Sequence, residues 1–192
     1  MKKIFLLFTI FIIAATSVFA LSLPRWDKRP IKVYIPTYDD YKYRLMKAAF
    51  TEWQDKTYSA VWFVFLGENK KNEADITVNF VDIVTNCNNP SAVGCTHYYV
   101  NHQKFYVKSI VDIGSRSLHV LQGDDGTVAK KTVKIPPEQM YGIMLHEIGH
   151  AIGITEHSKN ANSVMYTYSL YDFKIPQHLT DEDLRLVYKT YR

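Results

Sequence analysis

The order of periodic segments predicts one mixed α+β domain, of the α/β type in which strands and helices follow each other along the chain. Three observations carry this. Stretches with period-two alternation, such as Ala74 to Val81, are interleaved with stretches of helical period, such as Asp39 to Lys56. No internal repeat, low-complexity tract or linker divides the chain. The length of 192 residues suits one hydrophobic core.

Each element has its own signal. Ile31-Lys32-Val33-Tyr34-Ile35 alternates and stops at Pro36, which reads as a strand. Asp39 or Asp40 can cap a helix running to about Lys56, with Leu45, Ala48, Ala49 and Trp53 as its apolar face. Val61 to Leu66 is expected as a second strand and Ala74 to Val81 as a third. Thr85 to Gly94, rich in Asn, reads as loop. Cys95 to Val100 and Lys104 to Ile113 read as two further strands, and turn chemistry at Gln122 to Gly126 predicts a hairpin within Ser117 to Lys134. Pro136 and Pro137 open a second helix, with Glu138 in its first turn and Gly153 at its end. Thr180, with Asp183 three residues on, forms a capping box for a last helix.

The first 20 residues have a different character. Met1-Lys2-Lys3, an apolar run from Ile4 to Ala15 and Val18-x-Ala20 make a secretory signal peptide, with cleavage expected after Ala20. The competing reading is an uncleaved anchor, since the apolar stretch approaches the roughly 18 residues that span a bilayer. The small-residue site and the domain-like sequence from Leu21 onward favour cleavage, so residues 21–192 form the domain and no membrane insertion is expected after it. A secreted or periplasmic location follows. The net charge is +4, of which Lys2 and Lys3 supply two units, too mild for a nucleic-acid partner. Cys87 and Cys95 are the only cysteines. In an exported chain they are expected to form a disulfide closing a short loop, ahead of a metal-ligand or redox role.

The chemistry concentrates in His146-Glu147-Ile148-Gly149-His150. Residues four apart share a helix face, so His146 and His150 can hold one metal ion from adjacent turns. Glu147, beside the first of them, stands where a water-activating base belongs. This is the constellation of a zinc hydrolase. Two histidines on a half-buried helix face can also be hydrogen-bonded residues without a metal, and the motif alone is short. A catalytic zinc needs a third protein ligand. Glu156 and His157 lie just beyond Gly153 and compete for that place.

The extended pattern resembles H-E-x-x-H-x-x-G-x-x-H of the metzincin metallopeptidases. Counted strictly, the third slot holds Glu156, and His157 falls one residue late. Glu156-His157-Ser158 looks like the closing E-H-S of the matrixins, the matrix metalloproteinase family. One residue inserted between Gly153 and Glu156 accounts for the shift, and the resemblance then assigns His157 as third ligand. Asn162-Ser163-Val164-Met165-Tyr166 looks like the matrixin Met-turn, with Met165 as the floor beneath the metal and Tyr166 beside it. Thr167 stands two beyond Met165, so the zinc-binding tyrosine of astacin-like relatives is missing. Leu23-Pro24-Arg25-Trp26, Ala74-Asp75-Ile76 and Leu179-Thr180 extend the likeness along nearly the whole domain.

The resemblance implies a metzincin-like fold: a twisted mixed sheet with an active-site helix, a Met-turn and a C-terminal helix. It further implies a monomeric zinc endopeptidase acting on protein or peptide, with one catalytic Zn²⁺ and Glu147 as general base. Lys104 to Ile113 is the expected edge strand for substrate, and Tyr166 and Tyr168 the expected pocket wall, with Tyr171 and Phe173 nearby. No room is left for a propeptide between Ala20 and Arg25, so no cysteine-switch latency is expected. Aspartate-rich calcium loops are not matched. His97, His102 and His119 leave a second, structural zinc or a calcium open. The alternatives are a metzincin-fold binding module without activity and a zinc hydrolase of another amide bond.

Overall fold

The computed structural model describes residues 23–122, 128–167 and 175–191. The expected signal peptide and Tyr168, Tyr171 and Phe173 lie outside the described residues.

A six-stranded mixed sheet organises the domain. Its strands are β1 (Ile31–Tyr34), β2 (Phe63–Leu66), β3 (Ile76–Ile83), β4 (Gly94–Val100), β5 (Tyr106–Gln122) and β6 (Val128–Lys134). Their order is β2-β1-β3-β5-β4, with β6 paired to the second half of β5. β1, β2, β3 and β5 run parallel, whereas β4 and β6 run antiparallel to β5. β5 and β6 pair antiparallel as the predicted hairpin requires, its turn at 123–127 lying outside the described residues, and β5 is one unbroken strand that pairs β4 through its first half and β6 through its second.

Lys104 to Ile113 is not an edge. β5 is paired to β3 from Ser109 onward and to β4 from Tyr106 onward. The strand with a free side among these is β4, the short antiparallel strand. Local alternation identifies a strand but not its place in the sheet order, which explains the misplacement.

Helix α1 (Asp40–Lys56) is capped by Asp39, whose side chain accepts a hydrogen bond from the Lys42 amide at 3.0 Å. Its buried face is Met46, Ala49, Phe50 and Trp53; Leu45 is only partly covered and Ala48 is exposed. Helix α2 (Pro137–Ala151) begins with Pro137 in its first turn, where a missing N–H costs nothing. The two helices join through Trp53, whose Nε1 donates to the Leu145 carbonyl at 3.0 Å. Apolar residues of β1, β3, β5, α1 and α2 form one core, including Ile31, Val33, Ile76, Val78, Val111, Ile113, Ile143, Met144 and Ile148.

Helix α3 (Asp181–Tyr191) starts as the capping box predicts: Asp183 Oδ2 accepts from the Thr180 amide at 2.8 Å and from its hydroxyl at 2.7 Å. A short 3-10 turn over Glu68–Glu73 follows β2. Among the described residues no helix is long and apolar enough to cross a membrane.

Candidate active site

Helix α2 brings His146, Glu147 and His150 into the interior of one cleft. The one-turn spacing sets the Nε2 atoms of His146 and His150 3.1 Å apart. Gly153 then takes a φ of +114°, a backbone conformation that side-chain-bearing residues rarely adopt. The reversal brings the following loop back against the helix. His157 arrives on that loop with its Nε2 3.3 Å from that of His150.

The same loop orients the rings. His146 Nδ1 lies 2.6 Å from the Val164 carbonyl, and His150 Nδ1 2.6 Å from the Ile154 carbonyl. A carbonyl only accepts, so each Nδ1 carries the proton and each Nε2 presents a lone pair. Burial pushes the pKa of both His146 and His150 down to about 4, and burial lowers His157 as well. The rings are neutral at pH 7, as metal donors must be. Among the described residues, His146, His150 and His157 are the group that could hold a metal, with donor atoms all within 4.8 Å of one another. Glu156 is exposed and does not join that group. Among the described residues His97, His102 and His119 do not form a second such cluster.

Met165 is fully buried beneath the triad's loop, its amide accepted by Ser163 Oγ at 3.0 Å. Helix α3 ties this loop down. Asn160 Nδ2 donates to Glu182 at 2.8 Å, Ser158 Oγ donates to the same carboxylate, and Ser163 Oγ donates to buried Asp183.

Glu147 is buried, and burial raises its pKa above the ordinary carboxylate value, against the lowering influence of His150 and of a hydrogen bond from Thr96. Thr96 belongs to β4 and sits within hydrogen-bond reach of Glu147 Oε2, at 2.7 Å. Gly94, two residues earlier on the same strand face, lets β4 close on the carboxylate. A Cβ there would lie 2.6 Å from Glu147 Cγ and Oε1.

Cys87 and Cys95 form a disulfide, in agreement with the expectation. Its loop makes one wall of the cleft, a cavity of about 270 Å³. Cys87, Asn89, Val93, Gly94 and Thr96 line this wall, the three histidines and Glu147 line the floor, and Ile143, Thr167 and Ile175 complete it. Tyr166 is half-buried and pairs with Ser158 across an isolated bridge; Thr167 lines the cleft in its place. Sequence reasoning passed over Gly94 and Thr96. Their i, i+2 spacing next to Cys95 was the available signal, but only the approach of α2 gives it meaning.

Residues 25–192 match the family model described as Matrixin. No curated protein matches the chain.

Proposed function

Because the chain belongs to the matrixin family, we propose that this zinc metallopeptidase is an exported endopeptidase that uses His146, His150 and His157 to hold Zn²⁺ and Glu147 as general base. Cleavage of a signal peptide after Ala20 would release residues 21–192 into the periplasm or the medium. The observation that carries the reading is the convergence of three neutral imidazole nitrogens beside a buried carboxylate in an open cleft.

The donor set fits the ion. Zinc bound tetrahedrally at about 2.0–2.1 Å from each nitrogen would separate the nitrogens by about 3.3 Å. Two of the three Nε2 spacings, 3.1 Å for His146–His150 and 3.3 Å for His150–His157, lie near that value, and all three donors are within 4.8 Å of one another. The Nδ1–carbonyl bonds keep the rings aimed, the support that metal-binding histidines usually have. When bound, zinc acts as a Lewis acid toward the scissile carbonyl and acidifies water. Glu147 takes the proton of the attacking water and passes it to the leaving amine; the raised proton affinity that burial gives it suits both halves of that task. Met165 closes the floor behind the histidines and keeps water out from below. The free side of β4 is where an extended peptide adds as a further strand, with the Cys87–Cys95 loop on one flank and Thr167 and Ile175 on the other.

A mixed peptide library incubated with the mature protein and zinc tests the reading, with Glu147→Ala in parallel. Cleavage by the wild type and none by the variant is expected, with zinc bound by both. Activity in the variant would remove Glu147 from its role. Zinc bound by both without any cleavage would replace the reading with a binding module or a hydrolase of another amide. His157→Ala should weaken zinc binding far more than Glu156→Ala, and the reverse would move the third ligand to Glu156.

A further inference from the structure

We propose that Thr96 is a positioning residue that fixes the carboxyl group of Glu147 through a hydrogen bond from its hydroxyl. The inference rests on the reading of Glu147 as general base. Its ground is a contact made between two residues 51 apart in sequence: Thr96 Oγ1 stands 2.7 Å from Glu147 Oε2 and 2.9 Å from the Glu147 backbone carbonyl. The hydroxyl has a single proton, which the shorter contact directs to the carboxylate, with the backbone carbonyl as the second acceptor it faces.

A carboxyl group turns freely about its last torsion, whose energy profile is broad. A base that must meet a proton in a defined place needs that torsion held. Among the described residues, Thr96 makes the only side-chain hydrogen bond to this buried carboxylate. The holder is itself held. Its β-branched side chain has few rotamers, and its backbone is in register with Val111 of β5. Gly94 blocks the other side, leaving no room even for a Cβ between β4 and the Glu147 side chain. Thr96 also lines the cleft, so its hydroxyl stands at the boundary between strand and reaction space. Strand β4 thus has a second use besides presenting a free side: it aims the base.

Thr96→Val keeps the shape and removes the hydroxyl; Thr96→Ser keeps the hydroxyl and removes the methyl. The test measures kcat and KM for a cleaved peptide with the purified zinc-loaded protein, together with zinc content and Tm. Thr96→Val should lower kcat by about 10- to 100-fold, as expected for loss of placement at a reacting group, with KM within about threefold. Thr96→Ser should restore kcat to within about threefold of wild type. If Thr96→Val fails to fold, Thr96→Ser against Thr96→Ala carries the same criterion. Wild-type kcat in Thr96→Val, with Glu147→Gln inactive, overturns this proposal alone. Equal loss in Thr96→Val and Thr96→Ser also overturns it and leaves Thr96 a packing residue. An active Glu147→Gln overturns instead the reading on which the proposal stands.

Discussion

Replacing Gly94 with alanine perturbs the site through a single methyl group, and the structure sets its size. The new Cβ would lie 2.6 Å from Glu147 Cγ and Oε1 and 2.8 Å from Cδ. Ordinary van der Waals contact begins at 3.4 Å, so the shortfall is 0.8 Å. Backbone conformation adds nothing to the penalty, because Gly94 is not among the residues with positive φ. Neither side gives way easily. Glu147 is buried and bonded to Thr96, while β4 is held to β5 by the pairing of Gly94 with Ile113. Overpacking of this kind costs about 1–3 kcal/mol. For a domain of this size each kcal/mol lowers Tm by roughly 2–4 °C. A displacement approaching 1 Å at a reacting group costs on the order of 100-fold in rate. Thermal unfolding and peptide kinetics on Gly94→Ala should therefore show a modest fall in Tm beside a large fall in kcat, with zinc retained. Gly67→Ala serves as control, since its Cβ would meet only the flexible Asn69 side chain at 3.3 Å. Wild-type kcat and Tm in Gly94→Ala would refute the idea that β4 and Glu147 are in forced contact.

Two further outcomes follow from the same geometry. The Cys87–Cys95 disulfide closes a loop with a sequence separation of 8. The double variant Cys87→Ser, Cys95→Ser should therefore lose about 2–3 kcal/mol in urea unfolding and show a raised KM, because the loop is a cleft wall; an unchanged unfolding curve and KM would contradict this. For the metal-free protein, the folded pKa values of His146 and His150 lie near 4, below the ordinary value of 6.5. Between these limits the unfolded chain binds protons that the folded chain refuses. The contribution of these two rings is thus full above about pH 6.5 and is lost, on the order of a few kcal/mol, as pH drops toward 4, while the raised Glu147 carboxyl opposes it with a smaller effect of opposite sign. Urea unfolding of chelator-treated protein at several pH values checks the sign, and a flat profile over that range would count against it.

Much of this molecule is legible from local pattern. His146, Glu147 and His150 could be placed on one helix because the turn length of a helix is fixed. Gly153 could be placed at its end, Asp39 or Asp40 and Thr180 at helix starts, for equally local reasons. What escaped depends on neighbours that no window contains. The buried face of α1 is rotated from Leu45 and Ala48 to Met46 and Phe50, since the phase of a helix is set by what it packs on. Lys104 to Ile113 reads as a strand, yet its place inside the sheet is decided by β3 and β4 on either side. The Thr96–Glu147 contact joins strand to helix across 51 residues, and nothing in either segment announces the other.

The loop between Gly153 and Tyr166 supplies one of the three proposed zinc donors and both carbonyls that aim the other two. Helix α2 supplies the rest. An ion gripped in this way joins a rigid element to an irregular one, so binding it and ordering the loop become one equilibrium. Whatever steadies the loop then tightens the grip by the same free energy, and linkage makes the effect mutual. Glu182 and Asp183, which hold the loop from α3 without joining the proposed donor group, become regulators of zinc affinity through that loop. Loosening the last helix would surface as a change in metal retention before any change in the fold of the sheet.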